Sequence, residues 1–404
     1  MSAINFYFQV HQPWRIKKYR VFDIGRDHDY FTDNSDTARN NKKVFEKVTQ
    51  KCYLPTNKIF QDLLDKYPHF KISYSLSGVF LEQAEKFAPE VIKSFQKLVQ
   101  TNRVEILAET YYHSLSFLYS KDEFDRQVLL HRKKIRDLFG VTPKVFRNTE
   151  LIYSNELGRY LEDKKYLGVL AEGADHILGW RSPNFLYRPP GTAKIKLLLK
   201  NYNLSDDIAF RFSSKDWKEY PLTAEKFAGW VNQVNGNGDL INLFMDYETF
   251  GEHQWEDTGI FNFLKSLPRE ICRHPDNYFV TPTEAVKMFP ARDEIDVPHF
   301  ISWADVERDL SAWLGNDIQK DAVAQIYSLE KAILKSKDKK LIDDWRKLQT
   351  SDHFYYMCTK WFADGDVHKY FNPYESPYEA FISFMNVLTD LRLRIPDYVI
   401  NNPT

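Results

Sequence analysis

Cysteine is scarce in this sequence. The 404 residues hold three, Cys52, Cys272 and Cys358, far apart and odd in number. No Cys-x-x-Cys pair occurs, which excludes a zinc ribbon and a disulfide framework and points to a reducing compartment. Long apolar runs are missing as well. No stretch approaches the roughly 18 apolar residues of a membrane span. The opening Met1-Ser2-Ala3-Ile4-Asn5-Phe6 has neither the basic start nor the apolar core of a secretory leader. The chain is therefore expected in the cytoplasm, with no membrane partner. An excess of one charge is also absent: 55 Lys and Arg stand against 56 Asp and Glu, a formal net charge of -1. Without a basic face, nucleic acid is not an expected partner. The short Lys335–Lys340 run, broken by Asp338, reads as a solvated helix junction.

Several catalytic signatures are missing too. There is no Gly-x-Ser-x-Gly elbow, which sets aside the α/β serine hydrolases. Neither a phosphate-binding P-loop nor a Gly-x-Gly-x-x-Gly turn is present, and Asn235-Gly236-Asn237-Gly238 is only a turn. The 11 histidines include no pair three or four residues apart, so no helix-borne metal site is indicated. No cofactor is expected.

Aromatic residues are plentiful, at 16% of the chain. Such rings pack cores, and they also offer flat apolar faces to sugars. A length of 404 residues suits a large barrel with an attached region. Short apolar runs at Ile4–Val10, Lys71–Leu76, Val104–Ala108, Val145–Arg147, Val169–Ala171, Ile208–Arg211 and Leu240–Met245 read as strands. Between them, amphipathic stretches such as Glu90–Gln100, Glu123–Phe139 and Ala224–Gln233 read as helices. This alternation predicts an α/β fold with a parallel sheet under helices, and so many units favour a barrel. The pattern changes near Val297. From Asp317 onward helices dominate, with Ala322, Ile326, Leu329 and Ile333 on one face and a last helix over Pro377–Leu393.

Polar residues gather just after the predicted strands, where a parallel β/α barrel carries its active face. His11-Gln12-Pro13-Trp14 follows the first and Glu109-Thr110-Tyr111-Tyr112-His113 the third. Asn148-Thr149-Glu150, then Glu172 with Asp175, and finally Asp246 to His253 follow later strands. Sugar hydrolysis needs two carboxyls across the scissile bond, one ionised and one holding a proton. Glu150 and Asp246 are the best pair, because each directly follows a short apolar strand.

These residues resemble glycoside hydrolase family 57, in its α-amylase-like branch. Five blocks carry the likeness: His11-Gln12-Pro13, Val104 to His113, Pro143 to Glu150, Asp246 to His253, and Trp303 to Asn316. The resemblance implies an incomplete (β/α)7 barrel followed by a mostly helical C-terminal region. It places the catalytic domain at 1–296 and a helical domain completing the cleft at 297–404. It implies a retaining enzyme acting on α-1,4-glucans, with Glu150 as nucleophile, Asp246 as acid/base and no metal. His11, Gln12, Trp14, Glu109, His113, His253, Trp255, Asp309 and Trp313 are then the expected substrate-binding residues, with Asp309 and Trp313 lying over the cleft and Trp313 as a sugar platform. Trp313-Leu314-Gly315 stands where transferase members carry an aromatic-Trp-His-Gly run, and the chain ends before the C-terminal β-domain of other members. Both departures point away from transglycosylation. The rival readings are a 4-α-glucanotransferase or branching enzyme on the same scaffold, a non-catalytic carbohydrate-binding protein, and a metal-dependent deacetylase on a related incomplete barrel. Oligomeric state leaves no mark on the sequence.

Overall fold

A computed structural model describes residues 2–360 and 372–396. Eight strands alternate with helices: β1 (Ser2–Val10), β2 (Ile72–Leu76), β3 (Val104–Ile106), β4 (Val145–Arg147), β5 (Gly168–Glu172), β6 (Lys196–Lys200), β7 (Leu240–Asp246) and β8 (Asn277–Phe279). Every pairing between two of these strands is parallel. One sheet runs β3-β2-β1-β7, with β8 added on β1, and a second runs β4-β5-β6. β1 is central: β7 pairs along it from Ala3 to Gln9, while β8 and β2 pair with its first and last residues.

The two sheets meet at two seams and do not merge. At one, a lone parallel bridge joins Ala108 to Phe146, with the Ala108 N–H donating to Val145 and the Arg147 N–H to Ala108. At the other, the Asn201 N–H donates to the Asn242 carbonyl at 2.9 Å, and Asn242 Nδ2 donates to the Leu199 carbonyl at 2.9 Å. The result is an incomplete barrel of seven strands, with β8 accompanying the start of β1.

The period of two along each strand divides core from site. On β1, Ile4, Phe6, Phe8 and Val10 pack outward under the helices, while Ala3 and Tyr7 face the barrel interior. On β7, Ile241, Leu243 and Met245 go outward and Leu240 and Phe244 inward. The same alternation puts Gln9, Glu109, Arg147, Glu172, Lys200 and Asp246 inward, at or just beyond the C-terminal strand ends. The strands lie under helices on one side and a packed interior on the other, so they read as nearly continuous apolar runs.

One strand expectation needs correction. Ile208–Arg211 is not a strand: Ile208 and Ala209 close the helix Tyr202–Ala209, which begins where the Asn201 side chain accepts the Leu204 N–H. The sixth strand lies earlier, at Lys196–Lys200. Its flanking lysines disguise it. Lys196 Nζ donates to the Val286 carbonyl at 2.6 Å, and Lys200 is buried against acids.

Beyond β8 the described chain is helical apart from a helix-free stretch over residues 289–310, and its helices include Asp317–Ser328, Glu330–Ser336, Lys339–Lys347, Ser351–Tyr355 and Pro377–Leu393. Ala322, Ile326, Leu329 and Ile333 are buried together, as their spacing predicts. They share one apolar cluster with Trp14, Ile16, Tyr30, Tyr112 and Ile152 from the barrel loops. The helices thus pack directly on the mouth of the barrel. Among the described residues, no helix is long and apolar enough to cross a membrane.

Candidate active site

A cleft of about 990 Å³ opens at the C-terminal strand ends. Its walls include Glu150 and Asp246, together with His11, Gln12, His113, His253 and Trp313.

Glu150 follows β4 in a left-handed backbone conformation (φ 58°), and Leu151 after it repeats this at 52°. Such angles cost a non-glycine residue about 1–3 kcal/mol, and they concentrate at functional sites. His113, Asp305 and Arg308, all on the cleft wall, share the conformation. The turn aims the Glu150 carboxyl at three donors. Trp303 Nε1 donates to Oε2 at 2.7 Å, Ser351 Oγ donates to Oε1 at 3.0 Å, and His113 Nε2 lies 3.4 Å from Oε1. Burial pushes the Glu150 carboxyl up, but the hydrogen bond and charge of His113 outweigh it and hold the group below its ordinary value.

His113 owes its charge to its neighbours. Burial opposes protonation, but Glu109, 3.2 Å from Nδ1, and Glu150 on the other nitrogen raise it to about 9. Its ring stacks on His11 at 4.0 Å. Burial and the His113 charge keep His11 below its ordinary value. His11 Nδ1 meets Ser77 Oγ at 2.7 Å and Nε2 meets Asp352 at 2.9 Å, which fixes the ring.

Asp246 ends β7 beside Gln9 of β1. Burial, then the Glu150 charge, raises it to about 6. Two residues on, burial and Asp246 raise Glu248 to about 8. Glu248 accepts the Tyr53 hydroxyl at 2.5 Å. The cleft therefore pairs a carboxyl biased toward its anion with one biased toward its acid. Separation of this kind assigns acid and base roles.

Four expected binding residues stand off the cleft wall. Glu109 is buried behind His113, accepting from that ring and from Gln9. Trp14 is 6% exposed in the cluster under the C-terminal helices, its N–H given to Glu82. Trp255 is 55% exposed outside the cleft, with its N–H on the Glu252 carbonyl. Asp309 is turned to solvent, and its carboxylate accepts the Ser311 N–H at 2.8 Å. Trp313 reaches the wall but is only 1% exposed, which leaves no open face for a sugar ring. The expectation that it lies over the cleft as a platform is corrected to a packed ring. In exchange, the cleft gains Lys200, Asp206, Glu248, Trp303, Arg308, Asp352 and Tyr355. Trp303 and Glu248 sit inside blocks already singled out. Asp352 has no sequence signal, because its partner His11 is 341 positions away.

Paired carboxyls of opposite bias, in a cleft at the strand ends of an incomplete β/α barrel, are the equipment of a glycoside hydrolase. The chain belongs to glycosyl hydrolase family 57, whose pattern it matches over residues 5–298. It is 44% identical to a Methanocaldococcus jannaschii protein that carries the provisional name alpha-amylase, over 98% of this chain and 85% of that one. Its fold is similar to a GH57-type branching enzyme of Pyrococcus horikoshii, with a TM-score of 0.70 at 15% identity over 99% of this chain and 91% of that one. It is also similar to the 4-alpha-glucanotransferase of Thermococcus litoralis, with a TM-score of 0.64 at 17% identity over 88% of this chain and 56% of that one.

Proposed function

We propose that the protein is a retaining hydrolase of α-1,4-glucans such as glycogen, starch or maltodextrin, working in the cytoplasm. The opposite protonation bias of Glu150 and Asp246 within one cleft carries this reading. Glu150, ionised and held by three donors, attacks the anomeric carbon and forms a glycosyl ester. Asp246 gives its proton to the departing sugar oxygen, then takes one from the incoming water as that water opens the ester. Once the ester forms, the Glu150 charge is gone. The repulsion from Glu150 that helps to raise Asp246 then weakens, which suits its change from acid to base. His113, His11, Gln12 and His253 line the cleft with groups suited to sugar hydroxyls. Glu109 serves by holding His113. Residues 1–296 form the catalytic domain in this reading, and 297–404 complete the cleft.

Incubation with maltoheptaose, followed by chromatography of the products, tests the activity. Shorter maltodextrins alone support hydrolysis; products longer than the substrate would move the assignment to a 4-α-glucanotransferase, and binding without turnover would leave a carbohydrate-binding protein. Proton NMR of the first-formed sugar should show the α-anomer, as retention requires.

A further inference from the structure

Glu172, the last inward residue of β5, takes no part in the chemistry described so far. It is fully buried, and burial pushes its carboxyl up while the charges of Lys200 and Arg308 pull it back down. Lys200 Nζ and Arg308 Nη1 each lie 3.6 Å from its Oε2. Asp206 faces the same two cations, 3.0 Å from Lys200 and 3.6 Å from Arg308. Acid and base thus alternate around a closed ring of four. β5 gives Glu172, β6 gives Lys200, the helix Tyr202–Ala209 gives Asp206, and the loop after residue 302 gives Arg308. Gly173 permits the approach, since a Cβ there would stand 2.2 Å from the Lys200 carbonyl oxygen. Its N–H also donates to Glu172 Oε1 at 2.8 Å.

A buried ion cluster is a poor source of stability, because desolvation offsets most of the attraction. Its effect here is better sought in position. The loop is closed at its base, with the Ser302 N–H on the Arg308 carbonyl at 3.1 Å and Ser302 Oγ on the Asp309 carbonyl at 2.6 Å. Arg308 also donates to the Trp303 carbonyl. The Trp303 ring has Lys200 at 5.6 Å and Arg147 at 4.7 Å. That ring supplies the N–H on Glu150 Oε2. Fixing Arg308 and Lys200 therefore fixes Trp303, and through it the Glu150 carboxylate.

We propose that Glu172 is a positioning residue, the buried carboxyl that holds Arg308 and Lys200 in place so that Trp303 holds the Glu150 carboxylate for attack. The proposal rests on Glu150 being the nucleophile.

Glu172→Gln keeps the shape and removes the charge. With an aryl α-maltoside, kcat should fall roughly ten- to a hundredfold, the scale of a small misplacement at a reacting group, with little change in KM. The titration of Glu150, read by 13C NMR of labelled glutamate against a Glu150→Gln control, should move to higher pH as the Trp303 hydrogen bond loosens. Through space alone, loss of a nearby anion would move it to lower pH, so the sign separates positioning from charge. In a double-mutant cycle, adding Glu172→Gln to Trp303→Phe should cost little beyond Trp303→Phe alone. Glu172→Asp should restore part of the rate. Should Glu172→Gln fail to fold, Arg308→Met cuts the same ring from the loop side and should lower kcat in the same way. A Glu150 titration that stays put or falls, or additive losses in the cycle, would overturn the proposal. A wild-type enzyme inactive on every α-glucan would instead remove the hydrolase reading, and the NMR titration would still judge the Glu172 linkage.

Discussion

Three parts of the chain converge on Glu150: the segment after β3 through His113, the loop after residue 302 through Trp303, and a C-terminal helix through Ser351. Glu150→Gln keeps the carboxamide near those donors but cannot form the ester. Turnover should vanish nearly completely while glucan binding, measured by calorimetry, persists. Asp246→Asn should be severe on maltodextrins and much milder on an aryl glycoside, whose leaving group needs little protonation. Equal losses on both substrates would remove Asp246 as the acid. Trp313 makes a different prediction. Packed at 1% exposure among the C-terminal apolar residues, it should behave as core. Trp313→Ala should lower stability by about 3–5 kcal/mol in denaturant titrations. A variant that keeps its full stability but loses glucan affinity would return Trp313 to the binding surface.

Among the elements, the strands were the most legible in sequence, because β1, β4, β5 and β7 are largely apolar runs followed at once by polar residues. β6 escaped because Lys-Leu-Leu-Leu-Lys hides a buried strand behind two cations, one of them matched by acids that are distant in sequence. β8, three residues long, shows no such run. Glu150 and Asp246 were readable from strand ends and from family likeness together. The contribution of the helix Ser351–Tyr355 was not, since nothing local marks a serine whose partner is 201 positions away. That short helix is tied to the barrel by the Ser351 N–H on the His113 carbonyl at 2.9 Å and by Thr350 Oγ1 on the Tyr112 carbonyl at 2.9 Å. Ser351→Ala deletes one hydrogen bond to a charged acceptor, a loss of about 1.5–3 kcal/mol. Because the bond also aims the attacking oxygen, kcat should drop in steady-state kinetics by roughly tenfold or more, the scale of a small misplacement at a reacting group, with KM nearly unchanged. An unaltered kcat would show that Trp303 and His113 suffice.

For the whole molecule, protonation sets two windows. Activity needs Glu150 ionised and Asp246 protonated. The kcat/KM profile should have its acid limb below the ordinary carboxylate range and its alkaline limb near pH 6, where Asp246 titrates. A plateau extending past pH 8 would contradict the assignment of Asp246. Stability follows from the same groups. His113 is raised from 6.5 to about 9, so its contribution is complete below pH 6.5 and is lost as pH rises through 9. Glu248, raised from 4.5 to about 8, contributes fully below pH 4.5 and loses that contribution as pH rises through 8. Glu109 and Glu150 are depressed, so their contribution is present above their ordinary value and is lost as pH falls. Melting temperature should thus be highest in mild acid and decline steadily to pH 9, as calorimetry across that range would show. A melting temperature that climbs toward pH 9 would mean that His113 is neutral in the folded protein.

The seams between the two sheets have a mechanical consequence. Glu150 follows β4, in the three-stranded sheet, and Asp246 ends β7, in the other. No continuous ladder of backbone hydrogen bonds ties one carboxyl to the other. They stand like the tips of a pair of calipers, each rigid in its own arm, with the jaw width fixed by one lone bridge at Ala108, a contact at Asn242 and the helices laid across the mouth. The distance across the scissile bond is then a property of how two bodies are fastened, and a substitution at the fastening reaches the chemistry without touching either acid.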